Sequence, residues 1–132
     1  MNELPFFLSR EQVDRLHAMG LRWHGGSAGV RDSGLVDSAL ASAQNALFYG
    51  GGDLFDVAAA YAFHLAEAQA FLDGNKRVAA AAALTFLEVN GVTSFPSDDQ
   101  FYDAMIAIAN KQMTKPGLAA LLRQHGTTTL PS

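Results

Sequence analysis

The run from Val78 to Leu87, VAAAAALTFL, is interrupted by a single hydroxyl, at Thr85. Alanine and leucine are strong helix formers, and a helix that is apolar nearly all round has no face to offer water. Other elements have to surround it. With Asn75 at its start and Asn90-Gly91 as its stop, the pattern predicts a buried central helix over about residues 75–90. A bundle must then be built around it.

Five further segments can supply the surround. SREQVDRLHAMGLRWH opens with Ser9 and has Gln12 three residues on, the signature of a reciprocal helix cap. Val13, Leu16, Met19 or Gly20, and Trp23 follow at helical spacing. RDSGLVDSALASAQN, residues 31–45, reads as a second helix with Leu35, Ala39 and Leu40 on one face. A third, capped by Asp53, runs over residues 54–71 with a stripe of Leu54, Val57, Ala58, Tyr61 and Leu65. Ser97 with Gln100 opens a fifth that extends to Asn110, and TKPGLAALLRQHG supplies a short sixth. Before the third helix, ALFYGGGD joins aromatics to three glycines and predicts an exposed flap or short hairpin rather than helix. No repeat, heptad or linker divides the chain. The expectation is one all-α domain over residues 1–132, a compact bundle of about six helices with its core at about 7–124 and a frayed tail at 125–132.

Charge and composition narrow what such a bundle can do. A net charge of −4 gives no electrostatic footprint for DNA or RNA, so nucleic acid is not an expected partner. With no cysteine, disulfides, thiol chemistry and a thiolate metal site are excluded. The opening MNELPFFLSR lacks the basic region and long apolar stretch of a secretory signal, and no apolar run reaches membrane-spanning length without a polar interruption. A cytoplasmic globular protein is expected.

The unusual part is the start of the apolar helix. QAFLDGNKR, residues 69–77, sets Asp73, Gly74, Asn75, Lys76 and Arg77 directly before the apolar run. A helix N-terminus leaves backbone N–H groups without partners and carries a partial positive charge. Gly74 lets backbone approach a ligand closely, and Asn75, Lys76 and Arg77 add donors around it, which together make a phosphate cradle. Asp73 is placed to hold a divalent cation on the same phosphates, and Phe71 to anchor the loop in the core. The same residues also suit a plain helix start, with Asp73 and Asn75 as caps and Lys76 and Arg77 reaching to solvent.

FLDGNKRVAAAAALTFLEVNG resembles the signature of the Fic (filamentation induced by cAMP) superfamily, whose core is H-x-F-x-(D/E)-G-N-(G/K)-R. Lys76, where many members have glycine, resembles the death-on-curing (Doc) branch. GGSAGVRDSGLVDSALASAQNALFYGGGDLFDVAAAYAFHLA is similar to the segment that precedes the motif in that branch, and FLSREQV…LH to its first helix, so the resemblance covers roughly residues 7–122. It implies a small bundle of about six helices around the motif helix. It also implies a toxin of a toxin–antitoxin pair that moves the γ-phosphoryl group of a nucleoside triphosphate, ATP with magnesium, onto a threonine of elongation factor Tu and so halts translation. Glycine-type relatives transfer the nucleotidyl group instead, which makes an AMP-transferase the alternative; Lys76 would crowd the pocket and favour a reversed nucleotide with its γ-phosphate exposed. By the same resemblance, Gly74, Asn75, Lys76 and Arg77 bind phosphate and Asp73 the metal. The flap of Phe48, Tyr49, Gly50 and Gly51 guides the target by strand-like pairing. An antitoxin segment folds as a helix near the cleft.

One motif position departs. Gln69 stands where the family has its histidine, the group that takes the proton from the attacking hydroxyl. Imidazole suits that work because its pKa lies near neutrality; an amide can accept a hydrogen bond but cannot hold the proton. The implied enzyme is therefore strongly impaired, or a pseudoenzyme that binds nucleotide, antitoxin or target without turnover. His64, five residues upstream, faces away from position 69 on a helix, and His17, His24 and His125 lie farther off in sequence. Arg31-Asp32 reads as a structural pair at the start of the second helix, Lys111 and Lys115 as solvated surface, and Phe63, Phe86 and Phe101 as core.

Overall fold

A computed structural model describes residues 4–128. The elements run α1 (Arg10–His24), α2 (Ser33–Phe48), α3 (Leu54–Ala68), α4 (Asn75–Val89), β1 (Val92–Ser94), α5 (Asp98–Ala109), α6 (Lys115–His125) and β2 (Thr127–Thr128). The architecture is an all-α bundle with one small antiparallel pairing of β1 with β2. Among the described residues no helix is long and apolar enough to cross a membrane.

The reciprocal caps form where the sequence put them, Ser9 with Gln12 on α1 and Ser97 with Gln100 on α5. The motif helix α4 buries Val78, Ala79, Ala82, Ala83, Phe86 and Leu87, and packs against α1, α3 and α5. It shares the centre with α3, where residues 57–62 are buried without a break and which packs against α2, α4, α5 and α6. Alanine supplies much of the buried surface of both, and small side chains let helices pack closely. The N-terminal segment is tied down by buried Tyr61, whose hydroxyl accepts the Leu8 N–H at 2.9 Å. Burial pushes that phenol up to about 12.

Four local expectations are corrected. On α1 the buried face is Val13 and His17, while Trp23 is 78% and Met19 46% exposed. No hairpin forms at residues 46–51: α2 continues to Phe48 because Ala46 and Leu47 still pack on the core, and a turn follows only at Tyr49-Gly50. The third helix ends at Ala68, not Phe71, because residues 70–72 are drawn into backbone pairing described below. Finally, His125 closes α6 and Thr127–Thr128 pair with Val92–Ser94, where a frayed tail was expected; residues 129–132 lie outside the described residues.

Candidate functional site

Gln69 turns the chain out of α3 with left-handed backbone angles, φ 48° and ψ 43°. For a residue with a side chain this costs about 1–2 kcal/mol, so something beyond it must enforce the turn. The enforcing contacts come from the glycine-rich segment before α2. Arg31 and Asp32 both donate backbone N–H groups to the Ala70 carbonyl, at 2.7 and 3.0 Å. Leu72 N–H donates to the Gly29 carbonyl at 3.1 Å, and Val30 bridges Phe71 in antiparallel fashion. A short strap thus lies along the motif loop.

The loop is also held from behind. Phe71 is buried, as its anchoring role requires, and stacks on His17 with ring centroids 4.0 Å apart. His17 Nε2–H donates to the Asp73 carbonyl at 2.7 Å. Asn75 is not a cap; its amide is turned back on the loop, where its Oδ1 accepts the Phe71 N–H and its Nδ2 donates to the Phe71 carbonyl, both at 3.0 Å. One Nδ2 hydrogen and the backbone N–H remain without a bond to the loop. Asp73 is not a cap either. Its Oδ1 accepts the Gly74 N–H at 2.8 Å and its Oδ2 the Ser27 N–H at 3.2 Å. Those two backbone donors, Ser27 foremost, together with Arg77 nearby, hold the carboxyl below the ordinary carboxylate range, so it stays ionised. Gly26, at φ 120°, leaves the room this needs, since a Cβ there would lie 2.6 Å from Asp73 Oδ2.

The start of α4 is therefore open. Its N-cap is Gly74, at φ 76° and ψ 20°, with no side-chain cap. The other five helices are each capped by a side chain: Ser9, Asp32, Asp53, Ser97 and Thr114. The uncapped end faces a cleft of about 630 Å³, within the usual ~300–1,000 Å³ of small-molecule sites. Gln69, Asp73, Gly74, Asn75, Lys76 and Arg77 all line it, joined by Arg31, Glu67 and Lys111. Four cations against two carboxylates leave this cleft with a net charge of +2, in a chain of net −4. Such a concentration of positive field suits a phosphate-bearing ligand.

The remaining residues fall elsewhere. Phe48 lies 5.7 Å from the Phe7 ring, Tyr49 is 86% exposed, and none of residues 48–51 lines the cleft. His64 sits outside the cleft, its Nε2 2.9 Å from Lys115 Nζ. Burial, then Lys115, lowers its pKa, and it does not reach the position 69 side of the site. Lys115 also lies over the Phe63 ring at 5.6 Å rather than free in solvent. Sequence reasoning missed His17, Arg31 and Lys111 as parts of the site. For His17 a signal existed, its place four residues after Val13 on the buried face of α1. Among the described residues no three His, Cys, Asp or Glu side chains gather as a metal centre. Asp73 alone, exposed and ionised beside the cations, fits a magnesium ion held mainly by substrate phosphates, which needs only one or two protein carboxylates.

The model of the Fic/DOC family matches residues 7–87. A protein called Toxin Doc, from Mycolicibacterium smegmatis, is 42% identical over 123 residues, covering 88% of this chain and 90% of the relative. Protein kinase doc, from Escherichia phage P1, is 32% identical over 118 residues, covering 89% of this chain and 93% of the relative.

Proposed function

Since this chain belongs to the Fic/DOC family, we propose that it is a Doc-type toxin whose cleft binds ATP and directs the γ-phosphoryl group to a hydroxyl of a protein target. The observation that carries this reading is the start of α4, uncapped where the other five helices are capped, and opening onto the cationic cleft. Backbone N–H groups of residues 75–77 take phosphate oxygens at the positive end of the helix. Lys76 and Arg77 add charge from the same turn, and Arg77 is steadied by donating to the Gly25 carbonyl at 3.2 Å. Asp73 would hold magnesium, which when bound neutralises phosphate charge. Phosphoryl transfer breaks the bond from the γ-phosphorus to its bridging oxygen and forms a bond to the target oxygen. The proton of that hydroxyl needs an acceptor. Gln69 lines the cleft at the place of the family histidine and can orient the hydroxyl, but it cannot take the proton, so transfer is strongly impaired.

The target proposed is a threonine of elongation factor Tu, by the family resemblance. Incubating the factor with ATP labelled at the γ- or the α-phosphate, using this chain and its Gln69→His variant in parallel, tests the reading. Label from the γ-position entering the factor with the variant supports it; label from the α-position means an AMP-transferase. Gln69 itself favours a second reading, a module that binds nucleotide without turnover. That reading holds if the variant binds ATP yet moves neither label.

An antitoxin partner belongs to the same proposal. An apolar groove of about 510 Å³ between α4 and α5 is lined by Ala80, Leu84, Phe101, Tyr102, Met105 and Ile106. Lys76 and Arg77 line both this groove and the cleft. An amphipathic antitoxin helix laid there, with an acidic residue at the cationic end, would cover the phosphate-binding turn. Co-expression with the neighbouring open reading frame should yield a complex; failure of any small neighbouring protein to co-purify weakens the toxin–antitoxin reading.

A further inference from the structure

The chain carries nine lysines and arginines. Arg10 is ion-paired with Asp14 and Asp37, and Arg123 with Asp53 and Asp56. The four that line the cleft form no ion pair among the described residues. Lys76 and Arg77 belong to the motif turn. Arg31 and Lys111 do not: one comes from the strap before α2, the other from the turn after α5. Both are set on fixed backbone. Arg31 is bolted by its N–H to the carbonyl of Ala70, the residue next to Gln69. Lys111 donates its N–H to the Ile108 carbonyl at 3.1 Å and holds a left-handed φ of 59°, which few residues with long side chains adopt.

The field of a helix N-terminus fades within its first turn, so the start of α4 serves only the phosphate groups nearest to it. Two more unpaired cations on other walls of the same cleft can take further negative charge on a ligand. We propose that Arg31 and Lys111 form a second anion contact, which takes the distal phosphates of a nucleoside triphosphate and makes the site select for phosphate number. This rests on the nucleotide reading above. Arg31, beside Gln69, would place its charge at the end of the cleft where transfer occurs. Neither cation belongs to the motif.

Calorimetry with inorganic tripolyphosphate and pyrophosphate tests this on the full chain. The chain should bind tripolyphosphate more tightly, and an Arg31→Gln/Lys111→Gln double variant should lose that preference. Its tripolyphosphate affinity should fall about tenfold, the low end for charge-assisted contacts made by exposed side chains, with pyrophosphate affinity little changed. An Arg15→Gln variant, which removes a charge outside the cleft, should behave as the parent. The inference is overturned if the double variant keeps the parent's preference, or if Arg15→Gln reproduces the loss. In either case an Arg77→Ala variant that weakens both anions leaves the nucleotide reading standing. If the parent binds neither anion, that reading and the inference fail together. Unchanged circular dichroism of the double variant confirms that the fold is intact.

Discussion

The two central helices begin in opposite ways. At the start of α3, Asp53 accepts the N–H groups of Phe55 and Asp56, and Asp56 reaches back to the Asp53 N–H. Arg123 then closes over both carboxylates, at 2.9 to 3.2 Å. At the start of α4 no side chain caps the helix, and the fixing contacts stand behind the loop: Asn75 on Phe71, His17 on the Asp73 carbonyl, the strap on Ala70. The same physical need, backbone donors at a positive helix end, is met internally in one helix and left for a ligand in the other. A stable cap and a binding site are alternative uses of one feature.

The largest expected effect sharpens the functional half of this contrast. Gln69→His should raise phosphoryl transfer by about 10²-fold or more, the size of a general base, and leave ATP affinity within a few-fold. Kinetics alongside calorimetry check it, and growth arrest on expression should appear with the variant if elongation factor Tu is the target. A glutamine form that already transfers at the variant's rate would remove position 69 from the chemistry. Next, Arg77→Ala should weaken ATP binding roughly tenfold with little change in melting temperature, since among the described residues its one hydrogen bond is exposed, to the Gly25 carbonyl. Asp53→Ala should do the reverse. It should cost about 1–2 kcal/mol of stability in denaturant titration, through the lost cap and the loosened Arg123, and leave ATP affinity alone. If each variant moved both quantities, the division between the two helix starts would fall.

The smallest effect concerns pH. Partial burial would raise the Asp53 carboxyl, but the bond from Arg123 and those at Asp56 outweigh it, and the net shift is downward. A carboxylate whose folded value lies below its unfolded value stabilises the fold fully above the ordinary ~3.9, and that contribution is lost as pH falls through the lower folded value. The stability gap between the parent and Asp53→Asn should therefore be constant above about pH 5 and close in stronger acid. A gap that widened on acidification would contradict the sign.

What the sequence made legible was local. Ser9 with Gln12, Ser97 with Gln100, Asp53 and Asn90-Gly91 act within a turn of themselves, and the helix ends they mark are where the residues say. The gathering of Gln69, Asp73, Gly74, Lys76 and Arg77 was legible for the same reason, since one loop and one helix turn carry them all. Partners far apart in sequence were not. The left-handed turn at Gln69 depends on Arg31 and Asp32, and the β2 strand on Val92–Ser94. His17 meets Asp73 across 56 positions. Asn75 is a local exception: its amide turns back onto Phe71, four residues upstream, although an asparagine at a helix start ordinarily reads as a cap.

The most direct test of the account is to titrate ATP into the isotopically labelled chain and follow its backbone amides by NMR. The account predicts that the largest shifts fall on Gly74, Asn75, Lys76 and Arg77 at the open start of α4, while Phe55 and Asp56 at the closed start of α3 stay still. Shifts absent from residues 74–77, or centred on the start of α3, would contradict it.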